Sequence, residues 1–493
     1  MQLHQMKFKN AILPGRDPLS RWDVHFAHNT ITAVSPSSSS TPPDDDDPSP
    51  LLLPPLCHPH IHLDKAYLLT CNAQHHTSQS QSQSHPDYSD LTPQDGSFGE
   101  ALKFTSLAKQ RYTTDDLYLR GAQLLATSLA QGVTSCRAFV EIDHVTSQSC
   151  LQAALALKKC FQGKLRVQIC TFAQDPIFST EHGEENRRVL TQALKECGAH
   201  VEVLGTTPYV EKSLEASVQN IRWAIETALE NSLHLDFHLD YNLDEGQQPM
   251  VWEVVRQLKE LKWTERAKKG KTVVLGHCTR LTLCSDAEMV QLAKEIKDAN
   301  LPIHFVGLPT SDLFMMGRPP PSSGGSLSSP TAQESKSANR PRGTLQVLDM
   351  IRRFGMDACL SVNNVGNAFT PWGTGDPLSL ASLGVGIYQA GTDDDANVLF
   401  ECVSSRARKA IGLGSASALD TSDVEDGNGD DDQYDTTELK EGRKGELLLI
   451  QNKQYVGCPG HLGVKIPARQ RVNVRDVVWD PPEDKLRQVV RCV

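Results

Sequence analysis

Two histidines carry the first chemical signal in this chain. His60 and His62 stand in Pro59-His60-Ile61-His62-Leu63-Asp64-Lys65, directly after the apolar run Leu51 to Leu56. That run reads as a short buried strand, and side chains at i and i+2 of a strand share one face. Two imidazoles on one face can share a single metal ion. A His-x-His pair on a surface strand carries no such meaning, so the weight falls on the other strand ends. Polar groups recur there: His238 ends an alternating strand, His277 follows the apolar strand Val273-Val274-Leu275, and Asn363-Asn364 follows Cys359-Leu360-Ser361-Val362.

The elements that must position these groups are strand-then-helix units. Tyr118 to Gln131 has apolar positions at helical spacing, and Val133 to Val140 reads as a strand. Leu151 to Cys160 is then helical, Leu165 to Phe172 a strand, Glu185 to Cys197 helical and Val201 to Leu204 a strand. Leu214, Val218, Ile221, Ile225 and Leu229 form one helical face. From Leu233 to Asp240 the pattern alternates strictly, with His234, Asp236, His238 and Asp240 on one face. Strands at Thr272 to Gly276 and Ile303 to Leu308 flank a helix from Asp286 to Asp298.

Repeated units of this length predict a parallel sheet. The polar face at 233–240 selects a closed (β/α)8 TIM-like barrel, whose strands enter a lumen and gather site residues at their C-terminal ends. An open doubly wound sheet is apolar on both faces. Phe8 to Val34, Gly445 to Gln451 and Val464 to Asp476 read as β-strands at the two chain ends, which predicts a small β-sandwich domain built from both termini. The expected organisation is residues 1–56 and 443–493 in that domain, a barrel over 57–412, and an acidic disordered loop over 413–442. Low-complexity tracts at 35–50, 75–90 and 319–342 interrupt it.

The net charge of −11 belongs mostly to the loops: Gly414 to Glu441 carries −9 and Asp44 to Asp47 carries −4, leaving about +2 elsewhere. No Lys/Arg-rich face with interleaved aromatics argues for nucleic acid. No stretch is long enough to span a bilayer and the N-terminus has no apolar signal region, so no membrane association is expected and the default location is cytoplasmic. Thirteen scattered cysteines without a CxxC pair fit reduced thiols. A homo-oligomer is compatible with the sequence.

The segments Pro59 to Asp64, Asp236-Phe237-His238-Leu239-Asp240, Gly276-His277, and Asn363-Asn364-Val365 leading into Pro371-Trp372-Gly373-Thr374 resemble the amidohydrolase superfamily, in its cytosine deaminase-like branch. Arg137 to Glu141 and Gly317-Arg318 align more loosely, and Gly445 to Ile450 resembles the return to the β-domain. The likeness runs in order from about residue 8 to 470, and its first His-x-His motif is the most characteristic part.

That resemblance implies one divalent metal ion, Zn or Fe, held by His60, His62 and His238, with Asn363 at the position of a fourth ligand. It implies that His277 orients or stabilises the attacked water or carbonyl, with metal-activated water as nucleophile and a small molecule as substrate. Two positions depart from the family. Tyr241 stands where a glutamate shuttles protons, and Asn363 where an aspartate binds metal; an amide cannot take up a proton as a carboxylate does. Asp240, Asp244 and Glu245 are near enough in sequence to replace the base, and Tyr241 can donate a proton.

The expected function is therefore a metal-dependent hydrolase acting on a non-peptide C–N bond of a small cyclic amide, amidine or aminated heterocycle. The alternative is a non-catalytic barrel of the same fold that binds a ligand or partner. Motifs for zincins, P-loops, dinucleotide folds and nucleophile elbows are absent, as is the H-x-E with P-C-x-x-C pattern of the unrelated deaminase fold. His75, His76 and His85 in a Gln/Ser tract read as an incidental cluster. Leu308 to Asp312 reads equally as pocket lining or plain loop.

Overall fold

The computed structural model describes residues 5–37, 48–71, 85–244, 246–317, 342–413, 438–456 and 466–492. Most of the three low-complexity tracts and of the acidic stretch 413–442, together with His75, His76, Glu245 and Arg318, lies outside the described residues.

Sixteen strands are described. At the start of the chain, β1 (Gln5–Ala11), β2 (Trp22–Ala27) and β3 (Thr30–Pro36) form an antiparallel sheet, followed by β4 (Leu51–Leu53). Eight strands then pair in parallel and in sequence order: β5 (Leu56–His62), β6 (Val133–Glu141), β7 (Arg166–Ala173), β8 (Val203–Thr206), β9 (His234–Leu239), β10 (Val273–His277), β11 (Ile303–Gly307) and β12 (Ala358–Leu360). The outermost two meet through a bridge between Ile61 and Asn363, with His62 N donating to Asn363 O at 2.8 Å. This is the TIM-like barrel that the alternation predicts.

The strand at 233–240 shows why. Leu233, Leu235, Phe237 and Leu239 join the main core between sheet and helices, while Asp236 and His238 point into the lumen. The helices begin where polar caps satisfy their first N–H groups. Ser213 accepts from Ala216 N ahead of Leu214–Glu230, and Ser285 with Glu288 forms a capping box ahead of Asp286–Asp298.

Behind the barrel, β13 (Leu447–Ile450) pairs with β4 and with the last strand. A short hairpin of β14 (Tyr455–Val456) and β15 (Ile466–Pro467) precedes β16 (Arg487–Val490). The β1–β3 sheet and the β16-β13-β4 sheet share one apolar core, with Val24, Phe26 and Ile31 facing Leu52, Leu447, Leu449 and Val490. The β-domain is thus assembled from both termini.

Two local expectations are corrected. Leu51 to Leu56 is not one strand: Pro54 and Pro55, which lack N–H donors, divide it between two sheets, so His60 and His62 lie on β5 itself. Val464 to Asp476 is not a long strand either. Asn473 caps a helix at Val474–Trp479, whose buried Val474, Val477 and Val478 follow helical rather than alternating spacing.

Candidate metal centre

His60 and His62 project from the end of β5 and His238 from the end of β9, all buried. His238 Nε2 lies 3.0 Å from His60 Nε2 and 3.1 Å from His62 Nε2. Among the described residues this is the one group of three or more His, Cys, Asp or Glu side chains with converging ligand atoms. Burial holds all three imidazoles well below their ordinary pKa, so at neutral pH they are uncharged, the form in which histidine binds a metal. The Nδ1 atoms of all three make no hydrogen bond, so none of the three rings has its metal-side tautomer blocked. The donor set fits a divalent ion with three nitrogen ligands.

His277 closes β10 with φ +68°, in the left-handed region, and its ring centroid stands 5.3 Å from that of His238. Its Nδ1 lies 2.6 Å from Asp312 Oδ1. Asp312 sits fully buried on the helix Pro309–Met315, and its Oδ2 accepts from Thr344 Oγ1 at 2.8 Å. The segment Leu308 to Asp312 is therefore neither plain loop nor lining alone. Its aspartate holds His277, which stands beside the three clustered histidines.

Tyr241 packs edge-on to His277, with centroids 5.6 Å apart, and 5.3 Å from Phe98 on the helix Phe98–Lys109. Tyr209 and Phe369 complete this aromatic wall around Phe98. Asn363 has φ +62° and lies against β5, its side chain beside His60 and its Oδ1 buried.

Asp240 is placed differently from its sequence neighbours. Its backbone turns left-handed at φ +52°, and its carboxylate accepts from Met250 N at 2.9 Å and Val251 N at 3.2 Å. It caps the helix Val251–Glu260, and burial raises its carboxyl to about 6. Asp244 accepts from Gly246 N on an exposed turn.

Sequence reasoning gave no role to Lys65 or Gln174. Lys65 Nζ pairs with Glu141 and donates to Gln174 Oε1 at 3.0 Å, and it lies 4.9 Å from the Phe369 ring centre. Its position three residues after His62 was the available signal, since the turn after β5 cannot carry it far from the cluster.

The model of the amidohydrolase family matches residues 59–382. No curated protein matches the chain. Among solved structures, 5-methylcytosine deaminase from Klebsiella pneumoniae, liganded with 5-fluorocytosine, is similar at 20% identity over 90% of this chain and 91% of that one, with a TM-score of 0.68. N-isopropylammelide isopropylaminohydrolase from Burkholderia multivorans is similar at 18% identity over 99% and 96%, with a TM-score of 0.63. Guanine deaminase from E. coli is similar at 13% identity over 99% of each chain, with a TM-score of 0.54. At these identities the likeness is one of fold.

Proposed function

The chain belongs to the amidohydrolase family, and from that membership we propose that it hydrolyses a non-peptide C–N bond of a small cyclic amide, amidine or aminated heterocycle. The observation that carries this reading is the convergence of three uncharged, buried histidine nitrogens beside a histidine held by an aspartate. Structural neighbours named for 5-methylcytosine, N-isopropylammelide and guanine support a ring substrate.

His60, His62 and His238 would hold the divalent ion, Zn²⁺ or Fe²⁺, with the Asn363 side chain next to His60. Such an ion lowers the pKa of water towards about 7 and so supplies a nucleophile at neutral pH. Asp312 accepts the Nδ1–H of His277, which leaves His277 Nε2 as a proton acceptor. His277 takes the proton released as the C–O bond forms and returns it to the leaving nitrogen as the C–N bond breaks. This pair supplies the base that Tyr241 and Asn363, as a phenol and an amide, cannot provide at neutral pH. Tyr241 directs its hydroxyl to the leaving group, and the wall of Phe98, Tyr209 and Phe369 packs against the planar ring.

A ligand-binding barrel without turnover is the second reading, favoured by the loss of both family carboxylates at Tyr241 and Asn363. Purified protein supplied with Zn²⁺ or Fe²⁺ is assayed for ammonia or amine release from a panel of cyclic amides and aminated heterocycles, with His238→Ala as control. Turnover that the control lacks supports the hydrolase. Ligand-induced thermal stabilisation with no product from any bound compound favours the second reading.

A further inference from the structure

Inside the lumen, one turn of the β9 pleat below His238, lies an ion pair that the proposed reaction does not use. Arg137 on β6 donates from Nη1 to Asp236 Oδ2 at 2.8 Å, and both side chains are fully buried. Arg137 Nε donates to Gln168 Oε1 at 3.2 Å, and Gln168 Nε2 donates to Ile411 O at 2.7 Å, so the guanidinium is held in place. A buried pair of this kind adds little net stability.

Its second carboxylate oxygen points to another purpose. Asp236 Oδ1 makes no hydrogen bond and lies 3.7 Å from His60 Nδ1, which makes none either. Of the three clustered histidines, only His60 has a carboxylate within ion-pair range of Nδ1 among the described residues. The ring of His60 is confined on other sides as well. Phe139 lies 4.1 Å away between ring centres, and a Cβ on Gly276 would come within 3.0 Å of His60 Cε1.

We propose that Asp236, anchored by Arg137, is a positioning residue for His60: its Oδ1 accepts the Nδ1–H and so fixes the tautomer that presents Nε2 to a divalent ion. The inference rests on the metal reading above. The Nε2 separations of 3.0 and 3.1 Å are shorter than those of two nitrogens bound tetrahedrally at about 2.0–2.1 Å, which stand roughly 3.3 Å apart. An ion bound by these atoms would need them a few tenths of an ångström further apart, and Asp236 stands on the Nδ1 side of His60. A carboxylate on the far nitrogen both orients the imidazole and raises its strength as a ligand.

The test measures Zn²⁺ affinity of the full chain by competition with a chromophoric chelator, alongside the thermal stability of the metal-free protein. Asp236→Asn is expected to bind Zn²⁺ about 10–100-fold more weakly than wild type. Because that variant leaves Arg137 without its charged partner, Asp236→Asn/Arg137→Met removes both charges, and the same loss of affinity is expected from it. Gly276→Ala, which crowds His60 with the ion pair intact, is expected to weaken binding too. Histidine-selective ¹⁵N NMR of the Zn²⁺-loaded wild type is expected to show a protected Nδ1–H on His60, and this readout needs no variant to fold.

Unchanged Zn²⁺ affinity in the Asp236 variants, or a His60 protonated on Nε2, overturns the inference while the hydrolase reading stands. A wild type that binds no Zn²⁺, Fe²⁺ or Co²⁺ overturns both.

Discussion

His277 Nδ1 lies 2.6 Å from Asp312 Oδ1, across 35 residues of sequence and between the end of β10 and the helix that follows β11. Thr344 holds the other oxygen of the same carboxylate. The contact decides which nitrogen of His277 carries its proton, and with it which edge of the ring can accept another. Tyr241 and Asn363 stand where the family resemblance expects carboxylates, and His277 with Asp312 is the proposed acid–base pair beside the three clustered histidines.

Asp312→Asn keeps the shape of the contact but can donate to Nδ1, which stabilises the wrong tautomer. The expected result is a fall in turnover of about 10²–10⁴-fold with metal content unchanged. Steady-state kinetics beside elemental analysis checks this, and wild-type turnover in the variant would remove His277 from the acid–base role.

Tyr241→Phe is expected to lower turnover by about 10²-fold, the lower end for a general acid, and to leave metal content intact. Tyr241→Glu has a different outcome. The carboxylate would enter the wall formed by Phe98, Tyr209 and Phe369, so the substitution alone is expected to cost about 1–3 kcal/mol of stability in urea unfolding. The combination of Tyr241→Glu with Asn363→Asp tests whether the family's usual carboxylates still suit this pocket, through deaminase turnover.

Acid lability has a source outside the three clustered histidines. His304 on β11 is buried, and burial lowers its pKa from 6.5 to about 4. Between those values the unfolded chain binds more protons than the folded one. The stability present above pH 6.5 is therefore lost as pH falls towards 4. In metal-free protein, His304→Gln is expected to reduce the slope of unfolding free energy against pH in this window by up to ~1.4 kcal/mol per unit. Identical slopes in variant and wild type would show that His304 does not titrate with unfolding.

Much of this was legible in the chain because the barrel imposes one rule on every strand. The alternation at 233–240 separates Leu235 and Phe237, which face helices, from Asp236 and His238, which face the lumen. The spacing of His60 and His62 places them on one face without knowledge of the fold. Asp312 was not legible as a partner of His277, since no periodicity links two groups that meet only when successive strands align. The placement of Asp240 was not legible either: a left-handed backbone, which the alternating pattern does not announce, turns its carboxylate onto a helix N-terminus. Val474, Val477 and Val478 are as acceptable in a strand as in a helix, and the Asn473 cap settles the matter locally.

His60, His62 and His238 are proposed to share a single divalent ion. Elemental analysis of the purified chain, with the double variant His60→Ala/His62→Ala beside it, decides whether they do. About one Zn or Fe per chain is expected in the wild type, with loss of that metal in the variant. A wild type that stays metal-free after supplementation with Zn²⁺ and Fe²⁺, or a variant that keeps the same metal, would contradict the proposal.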